Sequence, residues 1–373
     1  MLTEESRRRS FPSLQGMVYL NTAAEGIPPC EVGSALEDYF RDKQRGMEGR
    51  DVHFRRWQTA RELTASFLGL SADEVGICSC SSEAYNLAAR ALRLGEGDEV
   101  LINDLDFPAG TTPWLQRDCP ATVRLWRARQ GALRVEDLIA LLGPRTRLVT
   151  VSLVSFFNGY RLPYRAVLEA VRRHSEALLA VDVTQALGRI PLDVADADLI
   201  VSSTHKWILA SHGGGLVGVP RRRERDWTVA AGGWFNLEDP FGPDRFARTV
   251  SRPGAAGFMV GMPNFPAVYA IAAALAYLQD IGVAAIDEAA RPLVRACLEG
   301  IARLPVELLT PQEDSSLAGI LAFRHPKAEE IAKQLRARAI HVMHHAGRLR
   351  VSLHGYNTLE DVEVFLRTLA QCL

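Results

Sequence analysis

A lysine directly after a short apolar segment is the residue with the clearest chemical potential in this sequence. Residues 199–202 are mostly apolar, with β-branched residues at the centre, which predicts a short buried strand. Lys206 follows this strand and is therefore placed over the carboxyl edge of a sheet, where α/β enzymes bind ligands. Partial burial favours a neutral amine, which can form a Schiff base. For a lysine taken alone, a position in a surface loop is the commoner case.

A carboxylate at the end of a second apolar segment changes that balance. Residues 178–182 predict another buried strand, which ends on Asp182, and Gln185 follows three residues later. A buried carboxylate is costly without a partner, and a protonated pyridine nitrogen is such a partner. Asp182 on the ring nitrogen and Lys206 on the aldehyde are what pyridoxal 5'-phosphate (PLP) requires. Asp182 alone would more simply cap a turn.

Two serines precede a predicted helix upstream. A short strand from Gly76 leads into Ser81 and Ser82, and good helix formers with apolar residues at helical spacing follow as far as Gly95, the expected C-terminal stop. Serines at a helix N-terminus satisfy free backbone N–H groups, and the same geometry binds phosphate. A plain helix cap is the commoner use, so this signal is weak by itself.

The composition is that of an ordinary globular chain. It has 373 residues, of which 47% are hydrophobic, and its 43 basic and 44 acidic residues almost cancel. No net field therefore indicates a nucleic acid or membrane partner, and six cysteines without a disulfide framework predict a reducing, cytoplasmic location. Three histidines could suggest a metal, but without a cysteine or carboxylate motif we expect an accessible polar loop and no metal at His341, His344 and His345.

Alternating strand and helix signals from about residue 60 to 220 predict a doubly wound, mainly parallel α/β sheet. A glycine- and aromatic-rich stretch at 232–253 predicts a functional loop, and residues 264–281 predict a helix. From residue 305 onward the pattern gives two strands and two helices of a smaller α+β domain. The predicted organisation is an N-terminal arm packing with the small domain (1–20), a large domain (21–263), and a linking helix with the small domain (264–373).

These segments resemble the class V aminotransferase family of PLP fold type I enzymes, and most of all its isopenicillin N epimerase-like and cysteine desulfurase-like branch. The resemblance runs nearly end to end. It is most specific in the lysine segment and in the C-terminal signature, which occur in the family's order. The segments that carry it are residues 19–26, 81–84, 182–185, 203–206, 261–264 and 348–358.

The resemblance implies a role for each matching residue. Lys206 would hold PLP as the internal aldimine and move protons, and Asp182 would pair with the pyridine nitrogen. The other cofactor-binding residues would be Gln185 on the ring hydroxyl, Phe107 stacked on the ring, and Ser81, Ser82, Ser203 and His205 around the phosphate. Arg350 would bind the substrate carboxylate through its guanidinium fork, with Asn21 and Ala23 beside the substrate. Alternatives are a surface ion pair for Arg350 and a core position for Phe107.

The departures from the family bear on the substrate rather than on the cofactor. Desulfurases carry a nucleophilic cysteine on a loop shortly before the C-terminal arginine, whereas residues 342–347 here contain none. Phe156 stands where desulfurases have an asparagine, and Met262 where relatives often have a threonine that reaches the partner subunit's phosphate. Ala210 and Ser211 replace the family's usual Gly-Pro pair. Persulfide chemistry is therefore not expected.

The sequence thus predicts a PLP enzyme that forms an external aldimine with an amino acid and removes its α-proton. We expect a β-eliminating carbon–sulfur lyase without a catalytic cysteine, with transamination or epimerisation as alternatives that share the first step. A PLP-binding protein without turnover is a further alternative, against which Arg350 argues. By resemblance, the enzyme would be a homodimer with its active site at the interface.

Overall fold

Strands and helices alternate through the middle of the chain, as the sequence predicts. The computed structural model describes residues 1–373. The N-terminal region contains α1 (Glu4–Ser10), β1 (Val18–Tyr19), α2 (Cys30–Gln44) and α3 (Met47–Leu68). The central region contains β2 (Val75–Cys78), α4 (Ser81–Leu92), β3 (Glu99–Asn103), α5 (Pro108–Thr111), β4 (Thr122–Trp126), α6 (Val135–Leu141), β5 (Thr146–Ser152), α7 (Tyr164–His174), β6 (Leu178–Asp182), β7 (Leu199–Ser203) and β8 (Gly215–Gly218).

Seven strands form one sheet in the order β2-β8-β7-β6-β5-β3-β4. The five strands from β7 to β4 are parallel, and β8 runs antiparallel to both of its neighbours. Alternate residues of one strand enter different cores: Leu179 and Val181 of β6 belong to a cluster of 51 buried residues, and Leu178 and Ala180 to one of 22. Helices therefore cover both faces, and the predicted doubly wound, mainly parallel sheet is confirmed.

The C-terminal region builds a smaller α+β unit. Helix α8 (Phe265–Ile281) leads to this unit, but most of its buried residues belong to the 51-residue cluster of the large sheet. The unit itself contains α9 (Val283–Ala302), β9 (Glu307–Leu308), β10 (Ile320–Arg324), α10 (Ala328–Ala337), β11 (Ile340–His341), β12 (Met343–His345), β13 (Arg348–Ser352) and α11 (Leu359–Cys372). The predicted helix at 264–281 is confirmed, and the Asn264 side chain caps it. The expectation of two strands was wrong, because five short strands form here. Two- and three-residue strands carry no readable period.

The N-terminal segment joins this smaller unit. Strand β1 pairs in parallel with β11, and Leu20 is buried in the small unit's own cluster of 19 residues. The antiparallel sheet of that unit has the order β12-β13-β10-β9. The domain boundaries themselves remain predictions.

A buried ion pair connects the large sheet to the small unit. Arg189, which follows β6, has no exposed surface and forms a 2.9 Å ion pair with Asp287 of α9. Its Nε also donates to the carbonyl of Leu353, directly after β13, at 2.9 Å. One side chain thereby fixes the small unit relative to the strand ends.

Helix α4 ends earlier than expected. Gly95 was predicted to be its stop, but the helix ends at Leu92 and Arg93 takes the left-handed conformation, with φ of 47°. The reason lies in the next turn, where the Gly95 N–H donates to the Asp98 carboxylate at 2.9 Å. Gly95 therefore belongs to the turn that leads into β3.

No single helix is long and apolar enough to cross a membrane. Helices α8 and α9 reach the required length and composition only together, and they meet at a bend of 73°.

Asp198 anchors the strand that leads to Lys206. Its side chain has no exposed surface, and it accepts hydrogen bonds from the Leu179 N–H at 2.7 Å and from the guanidinium groups of Arg172 and Arg223, both at 2.8 Å. The contact with Leu179 joins the beginnings of β6 and β7. Because a buried carboxylate needs such partners, Asp198 contributes to the rigidity of both strands.

Replacing Asp198 is expected to destabilise the protein strongly. Asp198→Ala leaves two arginines and a strand N–H without their acceptor, which costs on the order of 3–5 kcal/mol of unfolding free energy. Thermal unfolding measures this loss. The matched control is Asp193→Ala. The Asp193 side chain is 75% exposed and pairs with Arg165, so its removal should leave the melting temperature nearly unchanged. Equal losses in the two variants would contradict the anchoring role.

Candidate active site

A cavity of about 670 Å³ opens at the carboxyl edge of the central sheet. The last residues of three neighbouring parallel strands, Ser152 of β5, Asp182 of β6 and Ser203 of β7, lie in its wall. The N-terminus of α4 and the β12–β13 hairpin of the small unit complete it. This is the edge at which open α/β sheets bind ligands, and it is where Lys206 was expected to lie.

Asp182 and Lys206 face this one cavity, as their strands predict. The Asp182 carboxylate accepts the Thr184 N–H through Oδ1 at 2.7 Å, and the Thr184 hydroxyl accepts the Ser203 N–H at 3.0 Å. Thr184 thus ties the ends of β6 and β7 together. Burial raises the pKa of Asp182, although the Thr184 contacts and the Lys206 ammonium act against this.

Lys206 is largely dehydrated, and this controls its protonation. Burial lowers the pKa of its ammonium to about 8. The Asp182 carboxylate raises this pKa, the Arg350 guanidinium lowers it and Glu25 raises it, in decreasing order of effect. A lysine with a pKa near neutrality can both accept and return a proton.

The cavity fits a cofactor that carries a heterocyclic N–H. Only Oδ1 of Asp182 has a hydrogen-bond partner within the chain, and Oδ2 has none. The residue is 7% exposed, and it lines the cavity. A protonated ring nitrogen would supply the missing donor and would offset the cost of keeping Asp182 ionised.

An anion-binding corner lies at the start of α4. Ser203 donates to Ser81 across the corner at 2.8 Å, while Ser82 is exposed at the cavity wall. The N–H groups in the first turn of a helix have no acceptor within the helix, and the helix dipole adds partial positive charge. These serines and N–H groups suit a phosphate. The cap itself is Cys80, whose sulfur accepts the Glu83 N–H at 3.5 Å.

His205 lies beside this corner as a neutral ring. Burial, followed by the charges of Lys206 and His212, lowers its pKa to about 4. Its ring stacks on His212 with centroids 4.2 Å apart. At neutral pH it therefore offers one N–H donor and no charge.

Two aromatic rings line the cavity near Lys206. The Lys206 amine lies 5.0 Å from the centroid of Phe107, which is 42% exposed. Phe156 contacts Phe107 edge to face, with centroids 5.0 Å apart. Phe107 is therefore a cavity residue and not a core aromatic, which was the alternative.

Gln185 connects the N-terminal segment at Ala23 to Trp207, which follows Lys206. Its Nε2 donates to the Ala23 carbonyl at 3.1 Å, and its Oε1 accepts the Trp207 indole N–H at 2.6 Å. Ala23 lines the cavity, whereas Asn21 does not. Asn21 instead bridges to Ser352, the last residue of β13, through its backbone.

Gly26 packs against the backbone of the lysine segment. Its N–H donates to the His205 carbonyl at 2.8 Å, and a Cβ at this position would lie 1.9 Å from the Lys206 carbonyl oxygen. Only glycine fits this approach. The N-terminal segment from Asn21 to Gly26 therefore holds the lysine loop in place.

Arg350 is 3% exposed and lies in the cavity wall. Its Nη1 donates to the Phe156 carbonyl at 2.8 Å, and it forms no ion pair within the chain, which excludes the alternative of a surface ion pair. Burial lowers its pKa to about 9, with a further contribution from Arg348. Arg350 is therefore a cation without a counter-ion at neutral pH.

The structure adds cavity residues that the sequence reasoning missed. Cys80 and Arg348 line it, together with the three residues of β12. The histidines were expected in a loop, which was wrong: His341 lies in β11, and His344 and His345 lie in β12. The alternation of Arg348 and Arg350 along one strand was a readable signal, because side chains two apart share a face.

The chain matches the family model "Aminotransferase class-V" over residues 18–365. It therefore belongs to the class V aminotransferase family, whose cofactor is PLP. Its large sheet and small C-terminal unit have the PLP fold type I architecture.

Three known proteins are similar to this chain over nearly their whole length. An uncharacterized aminotransferase, YcbU of Bacillus subtilis, is 28% identical over 361 residues, which cover 96% of this chain and 95% of that protein. The apo cysteine desulfurase of Thermococcus onnurineus superimposes with a TM-score of 0.89 at 23% identity, over 100% and 98% of the two chains. The cystine C–S lyase C-DES, solved with its reaction product cysteine persulfide, gives 0.88 at 22% identity, over 97% and 99%.

The pKa of Lys206 should change when the charge of Asp182 or Arg350 is removed. In the apoprotein, we expect the rate of amine modification at Lys206 to rise with a midpoint near pH 8, because only the neutral amine reacts. Asp182→Asn removes a negative charge that raises the pKa of Lys206, so the midpoint should fall. Arg350→Gln removes a positive charge that lowers the pKa of Lys206, so the midpoint should rise.

Peptide mass spectrometry after timed labelling gives the midpoint, and the exposed Lys327 in the same sample reports on reagent reactivity. A midpoint that moves in the same direction in both variants would rule out this electrostatic account.

Proposed function

We propose that this protein is a PLP-dependent enzyme that removes the α-proton of an amino acid and then eliminates its β-substituent, as a carbon–sulfur lyase. The single observation that supports this most is the shared cavity of Lys206, Asp182 and Arg350. A dehydrated amine, a carboxylate with a free oxygen and a guanidinium without a counter-ion are complementary to a cofactor and a carboxylate-bearing substrate.

The cofactor would be held from three sides. Asp182 takes the ring nitrogen, Gln185 the ring hydroxyl through the second hydrogen of its Nε2, and Phe107 one face of the ring. The phosphate would be held by the α4 N-terminus and the side chains of Ser81, Ser82, Ser203 and His205. PLP, once bound, withdraws electrons from the α-carbon of an attached amino acid.

The remaining chemistry belongs to residues of the chain. Lys206 Nζ, with its pKa near 8, accepts the α-proton and returns a proton later. Arg350 holds the α-carboxylate and so orients the Cα–H bond. The backbone at Ala23 borders the same space, and we place Asn21 behind it in a supporting position. Phe107 and Phe156 present apolar surface on this side of the cavity.

A second candidate is a desulfurase reaction, in which a cysteine thiolate attacks the substrate sulfur. One specific observation favours it: Cys80 is exposed and lines the cavity. The β12–β13 turn at residues 346–347, which lies near the family's usual cysteine position, contains no thiol. Elimination is preferred because it needs no thiol, whereas Cys80 lies at the phosphate end as the α4 cap.

Transamination and epimerisation begin with the same proton removal by Lys206, and product analysis separates them from elimination. A protein that binds PLP without turnover is the remaining alternative. It would have no use for Arg350, a buried cation within the cavity.

The first test is cofactor binding and product analysis. Purified protein should be yellow, and borohydride followed by mass spectrometry should place the cofactor on Lys206. Lys206→Ala should lose this signal, while Lys327→Ala, at an exposed lysine, should keep it. With sulfur amino acids, we expect keto acid, ammonia and sulfide or thiol in equal amounts.

Cys80→Ser separates the two leading candidates. Elimination should continue at a rate close to that of the parent protein, whereas desulfurase chemistry, which yields alanine and a persulfide, should cease. Stoichiometric keto acid without ammonia would indicate transamination and would overturn the lyase proposal. A colourless protein that takes up no added PLP would end the whole assignment.

We also propose a homodimer with the active site at its interface. The loop at residues 232–253 has no helix or strand, and its Phe241 and Phe246 are 74% and 90% exposed. By contrast Phe235 packs on Trp57 of the same chain, with centroids 5.6 Å apart. Large exposed aromatics are typical of contact surfaces.

The turn at residues 261–264 would approach the partner's phosphate corner. Met262 is 42% exposed and has no hydrogen-bond donor in its side chain. Asn264 is engaged within its own chain, where it caps α8 and donates to the Gly213 carbonyl at 3.1 Å. The contribution of this turn would therefore come from its backbone N–H groups.

Phe246→Asp should weaken the dimer and lower PLP occupancy, because a charge would be buried at the interface. Leu359→Asp, at another exposed apolar residue, is the control and should do neither. Met262→Thr should leave PLP affinity unchanged or improve it. Sedimentation with absorbance of the bound cofactor measures both quantities. A stable monomer with full PLP occupancy would refute the arrangement.

A cytoplasmic enzyme with a small-molecule substrate, and without nucleic acid or membrane partners, completes the proposal. The near-zero net charge of −1 supports this proposal, since such a chain would attract neither a nucleic acid nor an anionic membrane surface.

A further inference from the structure

Two arginines, and not one, project from β13 into the cavity. Arg348 and Arg350 are two residues apart on one strand, so their side chains share a face of the sheet. They lie opposite His345 and Met343 of β12, which line the cavity as well. Arg348 is 2% exposed and Arg350 is 3% exposed. The substrate end of the cavity thus carries two buried guanidinium groups.

Neither arginine is neutralised within the chain. No carboxylate forms an ion pair with either of them, and Nε and Nη1 of Arg348 and Nε of Arg350 are buried without a hydrogen-bond acceptor. Burial lowers the pKa of Arg348 to about 10, with Arg324 contributing, yet the side chain stays cationic at neutral pH. Buried charges normally have partners, so two such groups in one cavity indicate missing anions.

The aromatic contacts of Arg348 position it without satisfying its donors. The guanidinium carbon lies 4.2 Å from the centroid of Phe157 and 5.6 Å from that of Phe156. A cation over a ring gains energy from its flat face, but its N–H edge remains free. Neighbouring Arg324 does not substitute for a counter-ion, because it is itself cationic and pairs with Glu307 at 3.5 Å. Arg348 is therefore held in orientation while its Nε and Nη1 have no hydrogen-bond acceptor.

We propose that Arg348 binds a second acidic group of the substrate, so that the enzyme acts on α-amino acids whose side chain carries a carboxylate or a sulfur oxyanion. Arg350 takes the α-carboxylate and Arg348 the distal acid, each through its guanidinium fork. This inference rests on the proposed function in one respect, the assignment of the α-carboxylate to Arg350. Arg348 acts as a specificity-determining residue, and the reaction itself does not require it.

The test compares acidic amino acids with neutral ones of the same shape. Dissociation constants come from the absorbance change of the holoenzyme on titration with L-aspartate against L-asparagine and with L-glutamate against L-glutamine. L-Cysteate, compared with L-aspartate, separates a sulfonate site from a carboxylate site. The parent protein should bind at least one acidic member about tenfold or more tightly than its neutral counterpart, as expected for a charge-assisted hydrogen bond.

Arg348→Gln should abolish this preference by weakening the acidic member only. Arg350→Gln should weaken acidic and neutral members alike, because both carry the α-carboxylate. Arg348→Lys keeps the charge and should retain part of the preference. Equal binding of acidic and neutral members by the parent protein would overturn the inference, whatever the stability of the variants.

A second measurement separates this inference from the proposed function. The thermal shift of the apoprotein with succinate against its monoamide, succinamate, requires neither cofactor nor turnover. A larger shift with succinate that is lost in Arg348→Gln would support the paired arginines even if no amino acid changes the cofactor spectrum. A spectral response to amino acids without any acidic preference would leave the PLP enzyme standing and remove the proposed substrate class.

Discussion

An excess of positive charge in a dehydrated cavity is the constraint on which the site depends. Lys206, Arg348 and Arg350 line the cavity, and Asp182 is the only carboxylate in its wall. Each cation has its pKa lowered chiefly by burial, so each would be stabilised by an anion brought from outside. A phosphate at the α4 N-terminus and carboxylates at the arginines would supply that charge. The cavity is thus organised for anionic ligands before any of them binds.

Such a cavity needs a stiff frame, because unpaired charges would otherwise turn toward water. The frame comes from short contacts between segments that are distant in sequence. Gly26 fits against the Lys206 carbonyl, Gln185 links Ala23 to Trp207, and Arg189 ties the strand ends to the small unit. Each of these contacts joins a segment that carries residues of the cavity wall to another segment of the chain. This arrangement is what preorganisation of an electrostatic site requires.

The two central residues could be predicted from sequence because their signals are local. Asp182 and Lys206 each follow a buried apolar strand, and parallel strands bring their carboxyl ends to one edge. The roles of Arg348 and Cys80 could not be predicted in this way. Arg348 and Arg350 alternate on β13 and so share a face, but the sequence does not show that this face borders the cavity, because the three-residue strand β12 that pairs with β13 has no period to detect. Cys80 reaches the cavity because α4 begins after it, and helix ends are poorly defined by propensity. Gly95 illustrates the same difficulty, since the local turn with Asp98 decided its position.

The residues that line the cavity come from two separate parts of the fold. The residues that we propose for cofactor binding end or follow strands of the large sheet or begin α4, whereas the two arginines that we propose for substrate binding come from one strand of the small unit. Because β13 belongs to a different sheet from β6 and β7, a change at Arg348 or Arg350 alters the charge of the cavity from a separate part of the fold. The arginine positions can therefore vary independently of the strand ends, and one architecture can serve more than one chemistry: a cysteine desulfurase and a cystine C–S lyase superimpose on this chain with TM-scores of 0.89 and 0.88.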